Sequence, residues 1–128
     1  MFLKKETHIF ATKMKYKFRA IFLEEAKDFF DDLDEKARDK IFYNIWKARG
    51  VNDKELFKKL QGEIWEFRTL YNKFYYRVFA FWDKTTKEDV LVVSTHGIVK
   101  KTDKIQQNDI DRAERLRINY FNEKGLKK

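Results

Sequence analysis

The most constraining stretch of the chain is residues 63–82, EIWEFRTLYNKFYYRVFAFW. From Glu63 the pattern has a period of two. Trp65 and Phe67 point one way, and Ile64, Glu66, Arg68 and Leu70 point the other, as in a half-buried strand. Residues 75–82, YYRVFAFW, have strand composition with bulk on both faces. Asn72-Lys73 between the two runs predicts a tight hairpin. In that register Arg68 lies directly across from Arg77, and like charges facing each other across a hairpin repel. Two kinds of compensation are open. Glu66, on the same face as Arg68, or another acid can neutralise the pair. Alternatively, the pair serves a cleft for phosphate, whose oxygens suit the planar guanidinium fork. Such a pair can also stabilise the extra negative charge of a phosphoryl transition state.

The flanking segments extend this hairpin into a domain. DKTTKED, 83–89, reads as a second turn, and VLVVST as a third strand ending at His96-Gly97. Upstream, KYKFRAIF alternates at first, with Tyr16 and Phe18 on one side and Lys15, Lys17 and Arg19 on the other, which predicts a first strand. The period then changes. Leu23, Ala26, Phe30 and Leu33 form one helical stripe, and Ala37, Ile41, Ile45 and Ala48 a second, with Asp34 as cap and Gly50 as stop. Residues 53–60, DKELFKKL, read as a short helical turn, and Asn108 to Tyr120 as a final helix facing inward through Ile110, Ala113, Leu116 or Arg117, and Tyr120. The expected fold class is α+β: an antiparallel meander sheet, with an N-terminal strand and a helical hairpin packed on one face and a C-terminal helix. The other face is expected to be partly open, basic and aromatic.

Bulk properties narrow the function. A chain of 128 residues suits one domain, read as 14–122, with residues 1–13 an extension or extra strand and 123–128 a basic tail. Thirteen phenylalanines exclude a disordered chain despite 39% charged residues. The net charge of +8 favours polyanion partners, nucleic acid first and an acidic protein second. There is no cysteine, and His8 and His96 lie far apart, so no metal site is expected. No signal-peptide core and no run of ~20 apolar residues is present, so a cytoplasmic protein without a membrane span is expected.

The candidate site residues converge on the arginine hairpin. His96 titrates near neutrality and so is suited to moving protons in RNA cleavage, although a histidine at a strand end also serves structure. Lys100, Lys101 and Lys104, like Lys58 and Lys59, read either as a solvated face or as an RNA-binding surface. Alternation selects Tyr75 to share the face of Arg77, where a base can stack on it. Tyr76, Trp65 and Phe67 are expected in the core.

LFKKLQGEIWEFR, YYRVFAF and VLVVSTHGIVKKTDK, with Asp109-Ile110 and Ala113 after them, resemble the phage-derived Gp49-like proteins. That group includes HigB-type toxins within the RelE/ParE superfamily. The resemblance spans roughly residues 56–117. The family commonly reads H-G-F-x-K-K-T-x-K-T-P; here Ile98 replaces the aromatic and Ile105-Gln106 stands in place of Thr-Pro. The resemblance implies a toxin of a type II toxin–antitoxin pair that cuts messenger RNA on the ribosome without metal or cofactor, by 2′-hydroxyl attack on the scissile phosphate. It implies Arg68 and Arg77 as transition-state stabilisers and His96 as the proton-transfer group. Lys58, Lys59, Lys100 and Lys101 would position RNA, and the antitoxin would be a helix-turn-helix, HigA-like protein. A non-cleaving antitoxin- or DNA-binding module and a ParE-type gyrase poison are the alternatives on the same fold.

Overall fold

The computed structural model describes residues 16–87 and 89–125. The notional extension 1–13, Lys15 of the first strand and the end of the basic tail lie outside them. The elements run β1 (Arg19–Phe22), α1 (Glu24–Asp31), α2 (Glu35–Ala48), β2 (Phe57–Gln61), β3 (Ile64–Tyr71), β4 (Phe74–Asp83), β5 (Leu91–Lys100) and α3 (Gln107–Glu123). The strands form one sheet in the order β1-β5-β4-β3-β2. Strands β2 to β5 are the antiparallel meander.

The sheet as a whole is mixed, not purely antiparallel as expected. β1 pairs in parallel with β5, in the register Arg19↔Leu91 to Phe22↔Ser94. The reason is the connection. A tight turn forces neighbours antiparallel, but β1 is separated from the meander by two helices, a crossover long enough to permit a parallel partner. The expected helical turn at 53–60 is also corrected. Asp53 closes a turn by accepting from the Glu55 N–H at 2.8 Å. The chain then straightens into β2, with Phe57 opposite Phe67 and Lys59 opposite Trp65. The spacing of Leu56 and Leu60 imitates a helix stripe; pairing with the waiting edge of β3 overrides it.

The β3–β4 hairpin has the expected register, with Arg68↔Arg77. Its turn residues, Asn72 (φ 53) and Lys73 (φ 70), both take the left-handed conformation that matches the twist of the strands. The helical hairpin also matches expectation. Asp34 caps α2 by accepting from the Ala37 N–H at 2.7 Å. The stripe Ala37, Ile41, Ile45 and Ala48 is buried, with Ala26 and Phe30 of α1, against Phe67, Val78 and Ala80 of the sheet.

The opposite face is less open than expected. Ile64, Phe79, Phe81 and Val93 are covered there by Ala113 and Phe121 of α3. Arg117 rather than Leu116 takes the buried position on α3; Glu114 accepts from its guanidinium at 2.9 and 2.8 Å. The end of α3 is tied down by Asp83, a fully buried carboxylate that accepts from Tyr120 (2.6 Å), Lys124 (2.8 Å) and Thr85 (2.6 Å). β5 does not stop at His96 but continues to Lys100. Gly97 has a packing role within it, since a Cβ there would come within 2.3 Å of the Phe29 ring of α1.

Burial alone would push the Asp83 carboxyl up, but hydrogen bonds from Lys124, Thr85 and Tyr120 outweigh it and hold the group below the usual carboxylate range. A lowered folded-state pKa gives stability that is present in full above the unfolded value near 3.8 and lost as pH falls through the folded one. Asp83→Asn should therefore cost about 1–3 kcal/mol at neutral pH, and urea unfolding should show the wild type losing more of its advantage than the variant below about pH 4. Gly97→Ala should destabilise by ~1–3 kcal/mol through overpacking against Phe29, read as a lowered urea midpoint.

Candidate functional site

Alternation along the hairpin puts Glu66 and Arg68 of β3 and Tyr75 and Arg77 of β4 on one face. The Arg77 side chain is 2% exposed and lies between Glu66, fully buried, and Asp103. Its Nη1 donates to Glu66 Oε1, and its Nη2 donates to the Asp103 carbonyl at 3.1 Å and pairs with the Asp103 carboxylate. Arg68 is 17% exposed; its Nε is 3.5 Å from Glu66 Oε2. Its Nη1 is 3.5 Å from Glu55, and its Nη2 is 3.4 Å from both Asp103 oxygens. The like-charge conflict is thus answered by acids. A buried guanidinium left unpaired would cost several kcal/mol, roughly 3–5 in measured cases.

The two bridging acids differ in kind. Glu66 is internal to the sheet. Asp103 sits on the loop 101–106 with its side chain 53% exposed, and it spans both arginines. The arginines, Tyr75, Asp103 and Glu55 line a cleft of about 220 Å³, completed by Thr69, Leu70 and Tyr76. The Arg77 guanidinium stands 6.0 Å from the centre of the Tyr75 ring. Chemically, the two guanidinium groups are bridged at this cleft by a solvent-accessible carboxylate.

The remaining candidates are distributed around it. Lys100 is registered opposite Tyr75, and its ammonium is 3.8 Å from Asp109. Lys101 and Lys104 are exposed on the loop that carries Asp103. Lys58 and Lys59 lie on edge strand β2 opposite Glu66 and Trp65, so they alternate between faces, and neither lines the arginine cleft. Tyr76 and Phe67 are core residues. Trp65, expected to be core, is only partly buried.

His96 is 1% exposed and is not among the cleft-lining residues. Its ring stacks on Phe79 at 4.8 Å and 21°, and its Nδ1 lies 3.2 Å from Thr95 Oγ1. Its Nε2 is buried without a hydrogen-bond partner among the described residues. Burial, reinforced by the Arg112 charge, lowers its pKa to about 4, against opposing contributions from Asp109 and Glu25. The imidazole is therefore neutral at physiological pH. Sequence reasoning missed Asp103 and Glu55. The available signal for Asp103 was a lone acid inside the basic run KKTDK.

Among the described residues no group of histidine, cysteine and acidic side chains could hold a metal ion, and no helix is long and apolar enough to cross a membrane. A mixed five-stranded sheet between a helical hairpin and a C-terminal helix, with an acid-bridged arginine pair lining a cleft on it, defines a small α+β protein. Residues 28–117 match the model of the Phage derived protein Gp49-like (DUF891) family, and the chain belongs to that family. The family is toxin–antitoxin-related and RelE-like. No curated protein matches the chain.

His96 predicts its own pH window. A histidine held neutral gives stability that is lost as pH falls from its unfolded value of 6.5 to the folded value near 4, because the unfolded chain binds the proton first. The loss over that interval should be of order 2–3 kcal/mol, and His96→Gln should flatten it in urea titrations between pH 7 and 4.5.

Proposed function

We propose that this protein is the toxin of a type II toxin–antitoxin pair and cuts messenger RNA on the ribosome without a metal. The observation that carries the reading is the arginine pair in one cleft, bridged by the exposed carboxylate of Asp103. An RNA phosphate presents the same geometry of oxygens, and the loop bearing Asp103 can yield that place to it. The 2′-hydroxyl then attacks the adjacent phosphorus while the bond to the 5′-oxygen breaks, leaving a 2′,3′-cyclic phosphate and a 5′-hydroxyl end. Arg68 and Arg77 stabilise the charge that builds on the phosphoryl oxygens. In this reading Lys100, registered opposite Tyr75, and Lys101 and Lys104, exposed on the loop that carries Asp103, hold the RNA backbone, and Lys58 and Lys59 add charge along β2.

Proton transfer is assigned to Tyr75, whose ring borders the cleft. His96 is 1% exposed and outside the cleft lining, so we give it a structural role, stacked on Phe79 within the sheet, rather than direct proton exchange with RNA. A helix-turn-helix antitoxin of HigA-like type would restrain the toxin. A second reading, a binding module that does not cleave, is favoured by one observation: Arg77 is almost wholly committed to internal ion pairs. A gyrase poison on this fold would act on DNA instead, since fold alone does not dictate chemistry.

Expression without antitoxin should arrest growth, and mapped RNA 5′ ends should appear within codons on translated messages. Arg68→Ala should reduce cleavage about 10²-fold or more with the fold intact. Arg77→Ala should also abolish it, but at a cost of roughly 3–5 kcal/mol in stability because Glu66 stays fully buried with only its 3.5 Å contact to Arg68. Asp103→Ala should tighten RNA binding several-fold by removing the competing anion. Intact RNA with tight antitoxin binding would establish the binding module; DNA breaks would establish the gyrase poison.

A further inference from the structure

A second cleft system lies on the other face of the meander, against the helical-hairpin side. One hollow of about 590 Å³ and another of about 410 Å³ share Lys59, Trp65 and Trp82 in their linings, so they form one groove along the β2 edge. Its floor is indole. Trp65 and Trp82 are both partly exposed, 5.6 Å apart and nearly perpendicular at 77°. Phe57 stacks beneath Trp65 at 4.8 Å. The Trp82 N–H is buried without an acceptor among the described residues.

The groove's rim is cationic. Lys54, Lys58, Lys59 and Lys84 line it, and none makes an ion pair with a described residue. The Lys84 ammonium stands 5.3 Å from the Trp82 ring centre. Lys17 is spent on the wall, donating to the Val51 carbonyl at 2.8 Å and to Asn52 at 2.6 Å. Against these stand Asp53, whose carboxylate caps its own turn, and Glu63.

We infer that this groove binds single-stranded RNA, with bases on the Trp65 and Trp82 indoles and phosphates along the lysine rim. Exposed aromatic faces inside a row of uncompensated ammonium groups are the chemistry of a sequence-tolerant single-strand site. A peptide adding as a strand to β2 fits less well. The edge is short, carries lysines, and slips register between Lys59 and Gln61, all of which discourage strand addition. The inference does not depend on cleavage. Lys58 lines the groove while registered opposite Glu66, the acid that holds Arg77, so a strand leaving the groove can round the β2 edge toward the arginine cleft.

The test uses the full chain carrying Trp46→Phe, so that emission comes from Trp65 and Trp82 alone. The probe is a 2′-O-methylated oligouridylate, which cannot undergo 2′-hydroxyl attack. The expected result is salt-dependent quenching, with affinity falling about tenfold or more in Lys59→Glu/Lys84→Glu, a variant that keeps both indoles and whose fold is checked by circular dichroism. Arg68→Ala should leave the quenching in place, which separates this site from the catalytic reading. Absence of quenching, or equal affinity in the charge-reversed protein, would overturn the inference. So would a polyglutamate peptide quenching as tightly as the oligonucleotide, which would make the groove a surface for an acidic protein.

Discussion

The register of the β3–β4 hairpin is the constraint on which the site depends. A two-residue turn with both φ angles positive leaves no freedom in the pairing, and Arg68 must face Arg77. The electrostatic consequence spreads outward from there. Glu66 is drawn fully inside the sheet to balance the pair, and Asp103 pulls the loop after β5 across the mouth of the cleft. The shape of that loop is thus set by charge compensation rather than by local turn chemistry. This is consistent with its lack of a proline to stiffen it.

The two sides of the sheet are closed by different means. The helical hairpin is held by apolar stripes and a capped α2, the ordinary product of helical periodicity. The C-terminal helix has a weaker apolar stripe and is fixed at both ends by polar contacts: Arg112 to Glu25 of α1 near its start, and Tyr120 and Lys124 to buried Asp83 at its end. His96, stacked on Phe79, is 1% exposed. A residue whose side-chain chemistry suggests proton transfer is thereby made a neutral core group stacked on Phe79.

Positive charge is also partitioned by the sheet. Along β2, Lys58 and Lys59 are registered opposite Glu66 and Trp65, yet both ammonium-bearing chains line the tryptophan groove and neither lines the arginine cleft. One surface is an arginine cleft already occupied by carboxylates; the other is a tryptophan-floored groove whose lysines make no ion pair with a described residue. The chain belongs to a toxin–antitoxin-related, RelE-like family, while the tryptophan groove follows only from the chain's own aromatic residues.

Much of this protein was legible from residue patterns: the strand, helical hairpin and final helix, the Asp34 cap, the buried stripe of α2, and the facing of Arg68 and Arg77. Each is a local property, settled by periodicity within a few residues or by a turn that allows one register. Glu66 as a compensating acid was legible for the same reason, being two residues from Arg68 on one face. What remained hidden depends on segments distant in sequence. The parallel pairing of β1, the conversion of 53–60 into an edge strand, the cover over His96, the bridging by Asp103 and the exposure of Trp65 and Trp82 all follow from which surface meets which. Spacing along the chain decides which side of an element a residue occupies; only packing between elements decides whether that side meets water, a hydrocarbon core or an opposite charge.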